Sequence, residues 1–109
     1  MQKAAFVAPD DPIILLRLGE LQLKRKKYKE AEAYLNQAVS HLRRNPAVYM
    51  ALGRTLGESG DLFGGHLNLG WGYVYSKDYR KARLHADKAA QLAKTEEQKK
   101  KAKELRNSF

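Results

Sequence analysis

The chain has 109 residues, 43% of them hydrophobic and 30% charged, with a formal net charge of +9 and no cysteine. That length sets one small domain with a thin core. The missing cysteine excludes a disulfide frame and thiolate chemistry, and fits cytosol and periplasm equally.

The charge is uneven. Residues up to Ser76 carry ten basic and seven acidic side chains, a net of +3, while eleven basic and five acidic ones from Lys77 onward give +6. Met1–Ala8 lacks a helix cap and is too short and too poor in apolar residues for a signal peptide. Met1 is read as an expression start on a fragment of a longer chain. Asp10 or Asp11 can cap a first helix with Pro12 at its first position, where the missing N–H is not needed.

The first helix runs to about Leu23. Ile14, Leu15, Leu18 and Leu21 recur at three to four residues and predict its core face. Gly19 costs about 1 kcal/mol against Ala inside a helix, so it implies the close approach of a neighbour. Lys24–Lys27 reads as a solvated turn near the negative end of the helix dipole. The second helix, about Tyr28–Leu42, carries the stripe Tyr28, Ala31, Leu35, Ala38 and Leu42. Asn45 before Pro46 starts the third, about Pro46–Glu58, and Ser59-Gly60-Asp61 is the next turn.

The fourth helix, about Asp61–Ser76, has no Lys, Arg or Glu after Asp61 and holds the only Trp, so it is expected to be buried on most sides. It is shorter than the roughly 18 residues a membrane span needs. Four glycines (Gly64, Gly65, Gly70, Gly72) make it weak alone and dependent on its neighbours. The fifth, about Tyr79–Lys94, has the smaller stripe Ala82, Ala86, Ala89 and Ala90. The sixth, about Glu96–Asn107, starts after Thr95 and offers Ala102, Leu105 and Phe109 to the core, the pattern of a polar terminal cap.

Two offsets organise these helices. Pro12, Leu18 and Gly19 recur 34 residues later as Pro46, Leu52 and Gly53. Leu16, Leu18, Gly19, Tyr28, Ala31 and Ala38 recur 51 residues later as Leu67, Leu69, Gly70, Tyr79, Ala82 and Ala89. Helices laid down at a constant half-period explain both, and a period of 34 marks a helix–turn–helix solenoid. The fourth helix then fits two frames, as second helix of one unit and first helix of the next.

These residues resemble the tetratricopeptide repeat family. Leu15, Leu18, Gly19, Tyr28, Ala31, Leu35 and Ala38 match its pattern in the first unit. Tyr49, Leu52, Gly53, Leu62, Gly65, Leu69 and Gly72 stand for it in the second, with Gly65 and Gly72 where Ala is expected. The resemblance covers roughly Pro12 to Ala93. It implies an all-α, right-handed α-solenoid of about six helices acting as a scaffold that binds a protein or peptide. A single domain over residues 1–109 divides at about 12–45, 46–78 and 79–107. First helices of such repeats face a concave groove, which selects Ile13, Leu16, Glu20, Met50 and Arg54 as contact residues. Leu16 and Glu20 stand where family members that clamp a terminal carboxylate present Lys and Asn, so no clamp is expected. Trp71 and Tyr75 on the uncharged helix form a second candidate surface. Gly60, Asp61, His66, Leu69, Gly70, Tyr73, Tyr75, Asp78 and Ala82 also resemble the repeat tails of bacterial HExxH zinc metallopeptidases of the barrel-assembly-enhancing type. That likeness implies a non-catalytic, periplasmic, peptidase-associated domain; without it the compartment is cytoplasmic.

Catalysis finds no support: there is no HExxH, phosphate loop or nucleophile elbow, and no cofactor is implied. His66 and His85 are expected to approach across the fourth and fifth helices. Without a Cys, Asp or Glu set they make a poor zinc site, and packing roles are expected for them. The run Lys99–Lys101 would attract phosphate, but Glu96, Glu97 and Glu104 are interleaved and no aromatic is placed to stack on a base, which disfavours nucleic acid.

Overall fold

Five of the six helix starts among the described residues are capped by side chains. Asp11 accepts the Ile13 and Ile14 N–H groups at 3.0 and 3.4 Å. Asn45, Asp61 and Asp78 cap in the same way through Ala47, Gly64 and Lys81. Thr95 forms a reciprocal box with Gln98, its hydroxyl accepting from Gln98 N–H and its own N–H donating to Gln98 Oε1. Each cap satisfies an N–H the helix cannot use, worth about 1 kcal/mol. The computed structural model describes residues 11–109. Among them are six helices and no strand: α1 (Pro12–Lys24), α2 (Tyr28–His41), α3 (Pro46–Ser59), α4 (Leu62–Tyr75), α5 (Tyr79–Leu92) and α6 (Glu96–Arg106). The readings of Met1–Ala8 and of Asp10 lie outside the described residues.

The turns are of two kinds. Between α1 and α2, α3 and α4, and α4 and α5, one residue takes a left-handed conformation: Lys26 at φ 61°, Gly60 at 109° and Lys77 at 65°. The next residue sends its N–H back into the ending helix, from Lys27 to Gln22, Asp61 to Leu56 and Asp78 to Tyr73, each at 2.9 Å. This bond pattern satisfies carbonyls that the helix end leaves open. The α2–α3 and α5–α6 connections contain no such residue. A regular repeat would alternate the two kinds, and here the α3–α4 and α4–α5 turns are of one kind.

Packing follows the turns. Each helix packs on the next in sequence, and α1 also meets α3 while α4 also meets α6. Helices α3 and α5 have no Cα atoms within 8 Å of each other. Helix α4 therefore partners α3 on one side and leads the group α4–α5–α6 on the other, the double role that the 34- and 51-residue offsets imply.

Two cores result. Leu15, Leu16, Leu35, Ala38, Val48, Ala51 and Leu52 form an apolar cluster joining α1, α2 and α3. Toward the C-terminus burial falls on small residues, Ala82, Ala86, Ala89 and Ala102, with Leu105 the large exception. Three expected faces are corrected. Ile14 and Leu21 are exposed, and the buried face of α1 is Leu15, Leu16, Gly19 and Leu23. The cause is Gly19: a Cβ there would lie 2.6 Å from Leu35 Cδ2, so the bare glycine face turns onto α2 and its flanks turn out. Ala90 is exposed, not part of the α5 stripe. In α4 only the four glycines are buried, while Trp71, Tyr73 and Tyr75 are half-buried and Leu62 is exposed. Neighbouring helices occupy the glycine positions, α3 at Gly65 and Gly72 and α6 at Gly70, and leave the aromatic residues at the rim.

Candidate partner-binding groove

The meeting of α1 with α3 leaves an open groove of about 640 Å³ on one side of the pair. Its walls are Arg17, Glu20, Leu21, Lys24, Met50 and Arg54. Buried Leu23 and Ala51 lie beneath. The spacing of Arg17, Leu21 and Lys24 is one helix face, and Met50 and Arg54 make the matching face of α3. Arg17 and Glu20 form an ion pair at 3.5 Å. Both side chains are well exposed, so the pair contributes a few tenths of a kcal/mol. Lys24 and Arg54 make no ion pair among the described residues, and the groove carries net positive charge.

The residues selected from sequence separate into groups. Glu20, Met50 and Arg54 come together in the groove. Ile13 is exposed in the first turn of α1 and does not line it. Leu16 is 6% exposed and belongs to the core cluster. It shares a register with Met50 but not a depth, because Met50 reaches past α3 to α4, where a Cβ on Gly72 would lie 2.9 Å from its Cε. Trp71 and Tyr75 form a separate ladder with Tyr49: ring centroids are 5.7 Å apart for Trp71–Tyr75 and 5.2 Å for Tyr49–Tyr75. The Tyr49 hydroxyl donates to the Arg43 carbonyl at 2.8 Å. Burial raises its pKa above the ordinary value, with Tyr75 adding to the effect. The groove also contains Arg17, Leu21 and Lys24, which the sequence analysis does not select. Their i, i+4, i+7 spacing marks one helix face, but apolar periodicity assigns Leu21 to the core.

Elsewhere ion pairs engage part of the basic excess. On α6, Lys99 pairs with Glu96 at 3.7 Å and Lys101 with Glu97 at 3.9 Å. Arg106 meets Asp87 of α5 at 3.0 Å. No helix among the described residues is long and apolar enough to cross a membrane.

A model of the tetratricopeptide repeat matches residues 1–55, half of the chain. With the six-helix, consecutively packed architecture, this places the chain in the tetratricopeptide repeat family. Such repeats generally mediate protein–protein interaction and are typically non-catalytic. No curated protein and no solved structure gives a significant match.

Proposed function

We propose that the chain is a protein-interaction scaffold whose α1–α3 groove holds a short segment of a partner protein. The observation that carries this reading is the lining itself. Half-buried Met50 and exposed Leu21 offer apolar contact, while Lys24 and Arg54 stand beside them without an acidic partner among the described residues. A segment bearing one apolar and one acidic side chain complements that surface, and its carboxylate gains a charge-assisted bond from Arg54. Leu16 belongs to the core cluster, does not line the groove and makes no contact with the segment.

Selection from a random peptide display library tests this. Enriched peptides should combine Asp or Glu with a large apolar residue. Met50→Ala combined with Arg54→Glu should weaken the selected peptides about tenfold or more, a loss of at least about 1.4 kcal/mol. Its urea midpoint should stay close to that of the parent. Leu16→Ala should do the reverse, costing about 2–5 kcal/mol of stability as a core truncation. Selected peptides that bind the groove variant unchanged but lose affinity with Trp71→Ala would move the contact surface to the aromatic ladder. Enrichment of no peptide, with a salt-sensitive shift of an RNA or DNA oligomer, would replace the reading by nucleic-acid binding.

A further inference from the structure

The seam between α4 and α5 repeats that between α1 and α2, fifty-one residues on. Its anchors differ. Leu35, buried between Ala31 and Ala38 on α2, is replaced by Ala86 between Ala82 and Ala89 on α5. Leu15, a core residue, is replaced by His66, and Tyr34, which packs on that core, by His85. Alanine buries little apolar area, so the larger contacts that tie α5 to α4 include two titratable rings. Their Nδ1 atoms lie 3.0 Å apart, one donating and the other accepting. Both rings are half-buried. Tyr73 stacks on His85 at 5.4 Å, and Lys81 lies over the Tyr73 ring at 5.5 Å.

We propose that the His66–His85 bond is an acid-sensitive latch, which holds α5 and α6 on α4 while the pair carries at most one added proton and releases them when it takes up a second. In the neutral pair one Nδ1 carries a proton and the other a lone pair. A first added proton goes to Nε2 of the donor ring, and the bond becomes charge-assisted. A second must go to the accepting Nδ1. Both nitrogens are then donors, the bond is lost, and two cations face each other at the observed 3.0 Å. No carboxylate answers that charge, since neither ring is in an ion pair among the described residues. On α5, Asp78 is held by Lys81 and Asp87 by Arg106, while Arg80 and Arg83 are exposed. On α4, Asp61 caps the helix start at Gly64. On α3, Glu58 accepts from the Tyr28 hydroxyl and Arg54 lines the groove. On α6, Glu96 and Glu97 are held by Lys99 and Lys101, Lys100 and Glu104 lie on a surface made by α6 alone, and Lys103 lines a crevice beside Ala90. Burial disfavours the charged form of both rings, Lys88 adds to this, and His66 acts likewise on His85, so both pKa values lie below the ordinary histidine value. Opening the seam returns the rings to water, where histidine titrates near pH 6.5. The neutral pair therefore stabilises the seam fully above about pH 6.5, and that contribution is lost as pH falls through the lower folded values.

The test is amide exchange on the full chain, with intrinsic rates divided out. Protection in α5 and α6 should fall at least about tenfold between about pH 7.5 and about pH 5, while the amides of α2 and α3 hold. Nitrogen NMR of the imidazoles should show a coupling between the two Nδ1 nuclei at neutral pH that disappears over the same range. His66→Leu combined with His85→Tyr, which copies the first helix pair, should protect α5 and α6 equally at both pH values. His41→Gln, at an exposed position of α2, should keep the acid response. If the double variant loses its helical circular dichroism, His66→Gln carries the comparison: glutamine can still bond to His85 but takes up no proton, so most of the fall should vanish. An acid response that persists in full in either pair variant overturns the proposal. So does equal protection of α5 and α6 at both pH values in the parent chain, or a loss spread evenly over all six helices.

Discussion

Replacing Gly65 by leucine is expected to destabilise the protein by at least about 3 kcal/mol, near the upper end of overpacking effects. The reason lies in what surrounds it. A Cβ on Gly65 would lie 3.0 Å from Gly57 Cα, 3.1 Å from Gly57 N and 3.2 Å from the Gly53 carbonyl. These are backbone atoms of α3, which move only if the helix moves. Gly53 faces back across the same contact, its Cβ falling 2.9 Å from the Gly65 carbonyl. At Gly65 helices α3 and α4 therefore meet backbone to backbone. Gly65→Ala should still cost about 1–3 kcal/mol, although alanine is favoured over glycine in a helix by about 1 kcal/mol. Gly57 supplies the control: a Cβ there meets nothing within 4 Å. Gly57→Ala should then stabilise by about 0.5–1 kcal/mol. Gly19→Leu and Ala38→Leu should fall between, at about 1–3 kcal/mol, since at Gly19 the nearest atoms belong to the Leu35 side chain, which can shift. Urea denaturation decides the matter. Equal midpoints for Gly65→Leu and Gly57→Ala would show that the helices do not approach as described.

That contact explains what the sequence made visible and what it hid. Helix starts were legible because Pro12, Asn45-Pro46 and Thr95 act through local backbone chemistry. The double role of α4 was legible because Gly19 and Tyr28 recur 51 residues on, as Gly70 and Tyr79. The face of α1 was not. Ile13, Ile14, Leu15, Leu16, Leu18, Leu21 and Leu23 surround most of that helix, so apolar periodicity permits several faces. The choice falls to Gly19, a residue that periodicity does not count as apolar. Leu21 consequently points to the groove and Leu16 to the core, the reverse of the expectation. Lys24 and Arg54 were legible as surface cations. Their meeting at one groove depends on α1 lying beside α3, a tertiary relation no local pattern carries.

Truncating Leu105 to alanine is expected to cost about 2–5 kcal/mol and to release α6 first. Helix α6 buries only Ala102 and Leu105, and the rest of it is charged or polar. Leu105 is completely buried and fills the notch at Gly70, where a Cβ would lie 2.5 Å from its Cδ2. The Arg106–Asp87 pair is too exposed to hold the helix alone. In Leu105→Ala, amide exchange in α6 should therefore rise toward the unprotected rate while the amides of α2 and α3 stay protected, a local opening rather than a global one. The notch also predicts a change of sign. In the parent chain Gly70→Ala must displace the end of the Leu105 side chain, so the gain in helix propensity is offset. In the Leu105→Ala background that space is empty, and Gly70→Ala should recover about 1 kcal/mol. The two substitutions are in contact, and a double-mutant cycle should return a coupling of about 0.5–3 kcal/mol. Strict additivity would show that Leu105 does not seat on Gly70, and uniform loss of protection across all six helices would show that α6 is no separate unit.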